Sequence, residues 1–86
     1  MDSIDLFFDY DGKKIKFSIS ENSSVEEALN KFSKFANLNM KENQTTFLYN
    51  AKVLNRFLNK SLKEMNLRGK VIRVITKSPI AGGGGL

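Results

Sequence analysis

Eighty-six residues, 41% of them apolar, with a net charge of +5 suit a single small globular domain. The chain has no cysteine and no histidine, which excludes disulfide staples, thiolate nucleophiles, Cys/His metal sites and histidine acid–base chemistry together. The fold must hold by packing alone, and neither a metal nor a cofactor is expected.

No apolar run approaches the ~18 residues of a membrane span, so no membrane partner is expected. The opening "MDSIDLFFDY" carries aspartates where a signal peptide needs basic residues, so cytoplasmic or nuclear residence is expected. The charge is unevenly spread. Asp2, Asp5, Asp9, Asp11, Glu21, Glu26 and Glu27 crowd the first third, whereas beyond Asn43 Glu64 stands against Lys52, Arg56, Lys60, Lys63, Arg68, Lys70, Arg73 and Lys77. That gradient steers acidic partners. It contains no basic run or interleaved aromatic ladder, so nucleic acid is not the expected partner.

In chain order, the opening reads as a hairpin. Asp11-Gly12 is a two-residue turn signal, because a type I′ turn needs positive φ at both central positions. Centring the turn there pairs Tyr10 with Lys13, Asp9 with Lys14, Phe8 with Ile15, Leu6 with Phe17 and Ile4 with Ile19. The apolar partners then share one face, and Asp5, Phe7, Asp9, Lys14, Lys16 and Ser18 share the other.

"SSVEEALNKFSKFANLN" reads as a helix: Ser24 is an N-cap with Glu27 three residues on, a capping box. Val25, Ala28, Leu29, Phe32, Phe35 and Ala36 recur at helical spacing, and Asn37 is suited to a left-handed stop covered by Leu38. In "TTFLYNAKVL" a strand meets a tight bend at Asn50-Ala51, then a very short strand at Val53-Leu54. Alternation sets Phe47 and Tyr49 inward and Leu48 outward. "NRFLNKSLKEMNLRG" reads as a loop with a helical turn from Ser61, and "KVIRVIT" as a last strand with Ile72 and Val74 on one face and Val71, Arg73 and Ile75 on the other. The order is β-β-α-β-β-(short helix)-β, an α+β pattern.

From Ile4 to Ile75 this order resembles the ubiquitin family. The resemblance rests on the Gly12-Lys13 turn, the Ser-capped helix opening with Val25, "FLYNAKVL" as third strand, turn and fourth strand, and "SLKEMNL" as the turn that plugs the core. It implies a β-grasp fold, a mixed sheet of four to five strands packed on one helix, in a monomer. It also implies a partner-binding patch on the open face of the sheet. Leu48 takes the place of the patch's central isoleucine, Ile75 that of the last-strand valine, and Arg73 that of a histidine. Phe7 matches a first-strand aromatic. The first-hairpin leucine has no counterpart because the turn is shorter, and Tyr10 is its nearest substitute.

The resemblance further implies a domain over residues 1–77 and a flexible Gly-rich tail over 78–86. In ubiquitin-like modifiers the arm ends in Gly-Gly, whose carboxylate is joined to a lysine amine, and glycine lets catalysts approach the backbone closely. Gly82, Gly83, Gly84 and Gly85 would be that arm, and Lys52, matching a chain-forming lysine, a candidate acceptor. This arm lacks the family's arginines, and Leu86 blocks the Gly85 carboxylate, so conjugation would require cleavage. Two readings follow: a modifier or its precursor, handled by processing and conjugating enzymes, or a non-conjugated domain at the N-terminus of a larger protein, docking on ubiquitin-fold receptors. A third is a β-grasp domain binding polyanions through its basic half. An enzyme is not expected. Asp9, Asp11, Glu26 and Glu27 are explained by a turn and a helix start, and no catalytic residue is proposed.

Overall fold

Asp11 and Gly12 take positive φ, 53° and 75°, and close a two-residue turn between β1, Ser3–Tyr10, and β2, Lys13–Ser20. The register is the one alternation predicts, from Tyr10 opposite Lys13 out to Ile4 opposite Ile19. The structure is a computed structural model that describes residues 3–41 and 44–77.

The helix α1, Val25–Ala36, begins in the expected capping box. The Glu27 N–H donates to Ser24 Oγ at 3.1 Å, and the Ser24 N–H donates to Glu27 Oε1 at 2.9 Å. Two further first-turn N–H groups are satisfied from outside the helix: Val25 donates to the Lys60 carbonyl at 2.7 Å and Glu26 to that of Leu58 at 3.2 Å. These bonds dock the start of α1 onto the long loop before the last strand. At the other end Asn37 sits at φ 57°, ψ 50°, and the Leu38 N–H reaches back to the Ser33 carbonyl at 2.8 Å.

Beyond the helix come β3, Thr45–Tyr49, β4, Lys52–Val53, a 3-10 turn at Leu54–Arg56, and β5, Val71–Thr76. The mixed sheet has the order β2-β1-β5-β3-β4. Its central contact is parallel, Phe8 beside Ile72, and its other pairings are antiparallel. The helical element after β4 thus falls at Leu54–Arg56. Residues 61–66 form a turn closed by a second reciprocal pair, Ser61 N–H to Glu64 Oε1 at 2.8 Å and Glu64 N–H to Ser61 Oγ at 2.9 Å.

The core lies between α1 and one face of the sheet. Ile4, Leu6 and Phe8 from β1, Ile72 and Val74 from β5 and Phe47 from β3 meet Val25, Ala28, Leu29 and Phe32. Leu54, Leu62 and Leu67 seal the loop end. At the centre the Phe8 and Phe32 rings stack with centroids 4.4 Å apart, and Phe17 and Phe47 meet that pair edge-on.

One expected core position is corrected. Phe35 is 63% exposed, while Ser33 is buried with no hydrogen-bond partner for its hydroxyl among the described residues. Both lie about 80° from the centre of the apolar stripe, on opposite flanks. Phe35 falls on the flank facing the edge strand β2, beyond which no further strand among the described residues covers it.

Two outcomes test this packing. Leu29, fully buried, should cost ~2–5 kcal/mol when cut to alanine, read by chemical denaturation. The Glu64 carboxyl is held below its ordinary pKa, chiefly by the Ser61 backbone N–H. A depressed folded pKa gives stability that is complete above the ordinary carboxylate range and lost as pH falls through the folded value. Acidification below about pH 4 should therefore destabilise the Glu64→Gln variant less than the parent.

Candidate docking face of the sheet

Because α1 covers one side of the sheet only, every second residue of the central strands faces away from the core. On β5 these are Val71, Arg73 and Ile75; on β3, Thr46 and Leu48; on β1, Asp5, Phe7 and Asp9. The registers set them side by side. Arg73 lies between Asp9 on β1 and Leu48 on β3, Val71 is beside Phe7, and Ile75 is opposite Thr46. Across the short last pairing Leu48 faces Val53. Val71 and Ile75 are 37% and 44% exposed, and Leu48, Phe7 and Val53 are half-buried.

The sequence-derived patch therefore assembles around Leu48, Ile75, Arg73 and Phe7, with Val71 and Val53 extending it. Tyr10 does not join it. Its ring lies on the inner face, 5.7 Å from that of Phe32, and packs against the core. The reason is parity: Tyr10 shares the face of Ile4, Leu6 and Phe8, and no bulge reverses it. Lys52 is exposed opposite Tyr49 at the start of β4. The tail residues 78–86, including Gly82, Gly83, Gly84 and Gly85, lie outside the described residues.

What holds Leu48 outward is a residue that sequence reasoning passes over. β4 is only two residues long and leaves the outer edge of β3 unpaired beyond Leu48. Asn55 fills that gap with its side-chain amide. The Phe47 N–H donates to Asn55 Oδ1 at 2.8 Å, and Asn55 Nδ2 donates to the Thr45 carbonyl at 2.9 Å. The amide thus imitates a peptide group of the missing strand and fixes the rotation of β3. The signal available was an asparagine just after a very short strand. Preceding it, Asn50 and Ala51 turn the chain at φ 49° and 68°.

Over the central strands the face is aliphatic and aromatic, with one guanidinium and two carboxylates, and Lys14 and Lys16 of β2 border it beside Asp9 and Phe7. It offers no nucleophile beside a base, and the described residues contain no group of acids able to hold a metal. Such a face can exclude water against a complementary surface while Arg73, Asp5 and Asp9 fix orientation. Its chemistry suits docking rather than a reaction centre. No helix among the described residues is long and apolar enough to cross a membrane.

No protein-family model and no curated protein matches the chain. Solved structures do. The ubiquitin-like domain of yeast Ddi1 superposes with a TM-score of 0.73 at 18% identity, over 88% of this chain and 91% of that one. This chain has the ubiquitin-like β-grasp fold. A ubiquitin from Caldiarchaeum subterraneum gives a TM-score of 0.73 at 16% identity, over 95% of this chain and 100% of that one. A ubiquitin-like domain from Arabidopsis thaliana gives 0.73 at 16% identity, over 91% and 81%. At these identities the β-grasp likeness is one of fold, and the face must be judged on its own residues.

The role of Asn55 yields a direct test. Asn55→Ala strands the Phe47 N–H and the Thr45 carbonyl, so it should cost about 2 kcal/mol in denaturation. The Phe47 amide should exchange with solvent faster than in the parent.

Proposed function

We propose that this β-grasp domain is a non-conjugated protein-interaction module that docks partner proteins on the open face of its sheet. The observation carrying this reading is the outward cluster of Leu48, Ile75, Val71 and Phe7, contiguous across the central strands and rimmed by Arg73, Asp5 and Asp9. Contiguous apolar side chains on a small domain's surface are the usual mark of an interaction site. Two of the three superposing structures described above are ubiquitin-like domains, which favours this reading over a free modifier. The sequence favours a cytoplasmic or nuclear setting, with ubiquitin-fold receptors as the partner class.

The glycine run supports a second reading, a modifier released by cleavage after Gly83, Gly84 or Gly85, with Lys52 as a possible site for attaching another copy. A mature chain ending at one of these glycines, found by intact mass, would favour it. A mature chain that keeps Leu86 and continues would remove it.

The main reading is tested by titrating the labelled domain with a panel of ubiquitin-fold receptor domains. Amide shifts should cluster at 46–48 and 71–75. Leu48→Ala should leave the melting temperature nearly unchanged yet weaken binding by about ten-fold, as loss of a central apolar anchor does. Unaltered affinity in that variant would refute the proposed face, and unfolding would overturn the assignment of the faces of β3.

A further inference from the structure

From Thr45 to Lys63 the chain carries Lys52, Arg56, Lys60 and Lys63 and no acid. In the middle of this stretch the segment 55–60 wraps an open cleft of ≈ 370 Å³, lined by Asn55, Arg56, Phe57, Leu58, Asn59 and Lys60. Phe57 and Leu58 are half-buried there, whereas Arg56, Asn59 and Lys60 are exposed. Leu58 packs against the core. Phe57 stands outside it and touches no other aromatic ring among the described residues.

The segment is held along its whole length. Asn55 is tied to β3 by its amide. The Phe57 N–H donates to the Leu54 carbonyl at 2.9 Å, and the Lys60 N–H to the Phe57 carbonyl at 3.1 Å. The Leu58 and Lys60 carbonyls accept the first-turn N–H groups of Glu26 and Val25. These bonds are made by the backbone and by Asn55, so closing the loop asks nothing of the Phe57 ring or the Lys60 ammonium. A partly exposed ring on a backbone so fixed gives up little freedom when a partner covers it. The acids nearby are few. Glu64 is occupied with the Ser61 turn, and Glu26 borders the segment through its N–H bond to Leu58.

We propose that the 55–60 cleft is a second docking site, which takes an acidic segment of a partner protein carrying one bulky apolar side chain. That side chain lies against Phe57 and Leu58, and its acidic flanks meet Arg56 and Lys60. Lys52 and Lys63, at the two ends of the acid-free stretch, add to the positive field that draws such a segment in. Glu26 marks the side it avoids. A nucleic acid strand fits less well, because successive bases need a row of rings to stack on and Phe57 is the one aromatic residue lining this cleft.

The site shares no residue with the sheet face, and its test keeps the two apart. The probe is a synthetic nine-residue acetylated peptide of aspartate and glutamate around a central leucine. One control carries lysines for the acids, and another carries serine for the leucine. Titration of the isotope-labelled chain should give saturable shifts over 55–60 that weaken as salt is raised. Phe57→Ser should weaken binding about five-fold, and so should serine for leucine in the peptide. Lys60→Glu should weaken it about three-fold, and Glu26→Gln should strengthen it about two-fold. Lys60 is exposed, so its variant should keep the parent's melting temperature and separate lost binding from lost fold. The proposal is overturned by no saturable shift at millimolar peptide, by equal binding of either control, or by shifts confined to 46–48 and 71–75. Tighter binding of a nine-nucleotide thymidine oligomer at 55–60, or shifts there that track protein concentration without peptide, would also overturn it.

Discussion

The stacking of Phe32 on Phe8 is the contact on which the rest of the molecule depends. It brings the only α-helix among the described residues onto the middle of β1, with Phe17 and Phe47 closing around the pair. A small domain has little apolar area to bury, and aromatic rings contribute the largest share per residue. Once the pair is buried, strand alternation decides every other side chain. Leu6, Ile72, Val74 and Phe47 must face α1, so Phe7, Val71, Arg73, Ile75 and Leu48 must face away. The candidate docking face is the other side of the core.

A single helix is also too narrow for five strands. At the β4 side Leu54 is buried in the core, and the Asn55 amide completes the edge of β3. The β2 side is not so completed. There Phe35 remains exposed and the strand keeps its outward peptide groups. The two edges of the sheet thus differ in kind, one completed by a polar side chain and the other open.

Local signals carried most of the architecture. The hairpin register was legible because Asp11-Gly12 admits only one centring that puts Ile4, Leu6, Phe8, Ile15, Phe17 and Ile19 on one face. The helix limits were legible because Ser24 with Glu27 and Asn37 with Leu38 are chemical stops. The parallel contact of β1 with β5 joins residues far apart in the chain, and only the family resemblance anticipated it. Asn55 and Ser33 escaped for a related reason: a polar side chain's partner, or lack of one, is set by distant backbone. Phe35 was misplaced because periodicity gives the centre of an apolar stripe and not how far the sheet reaches beneath it. Tyr10 shows the reverse case. Its own parity placed it with the core, and the resemblance drew it to the patch.

The central claim, that one helix covers one face and leaves Leu48 and Ile75 to solvent, is tested most directly by methyl NMR with a soluble paramagnetic chelate. Strong broadening of the Leu48 and Ile75 methyl signals, with those of Leu29, Ile72 and Leu6 protected, is the predicted result. Protection of Leu48 to the same degree as Ile72 would contradict the account.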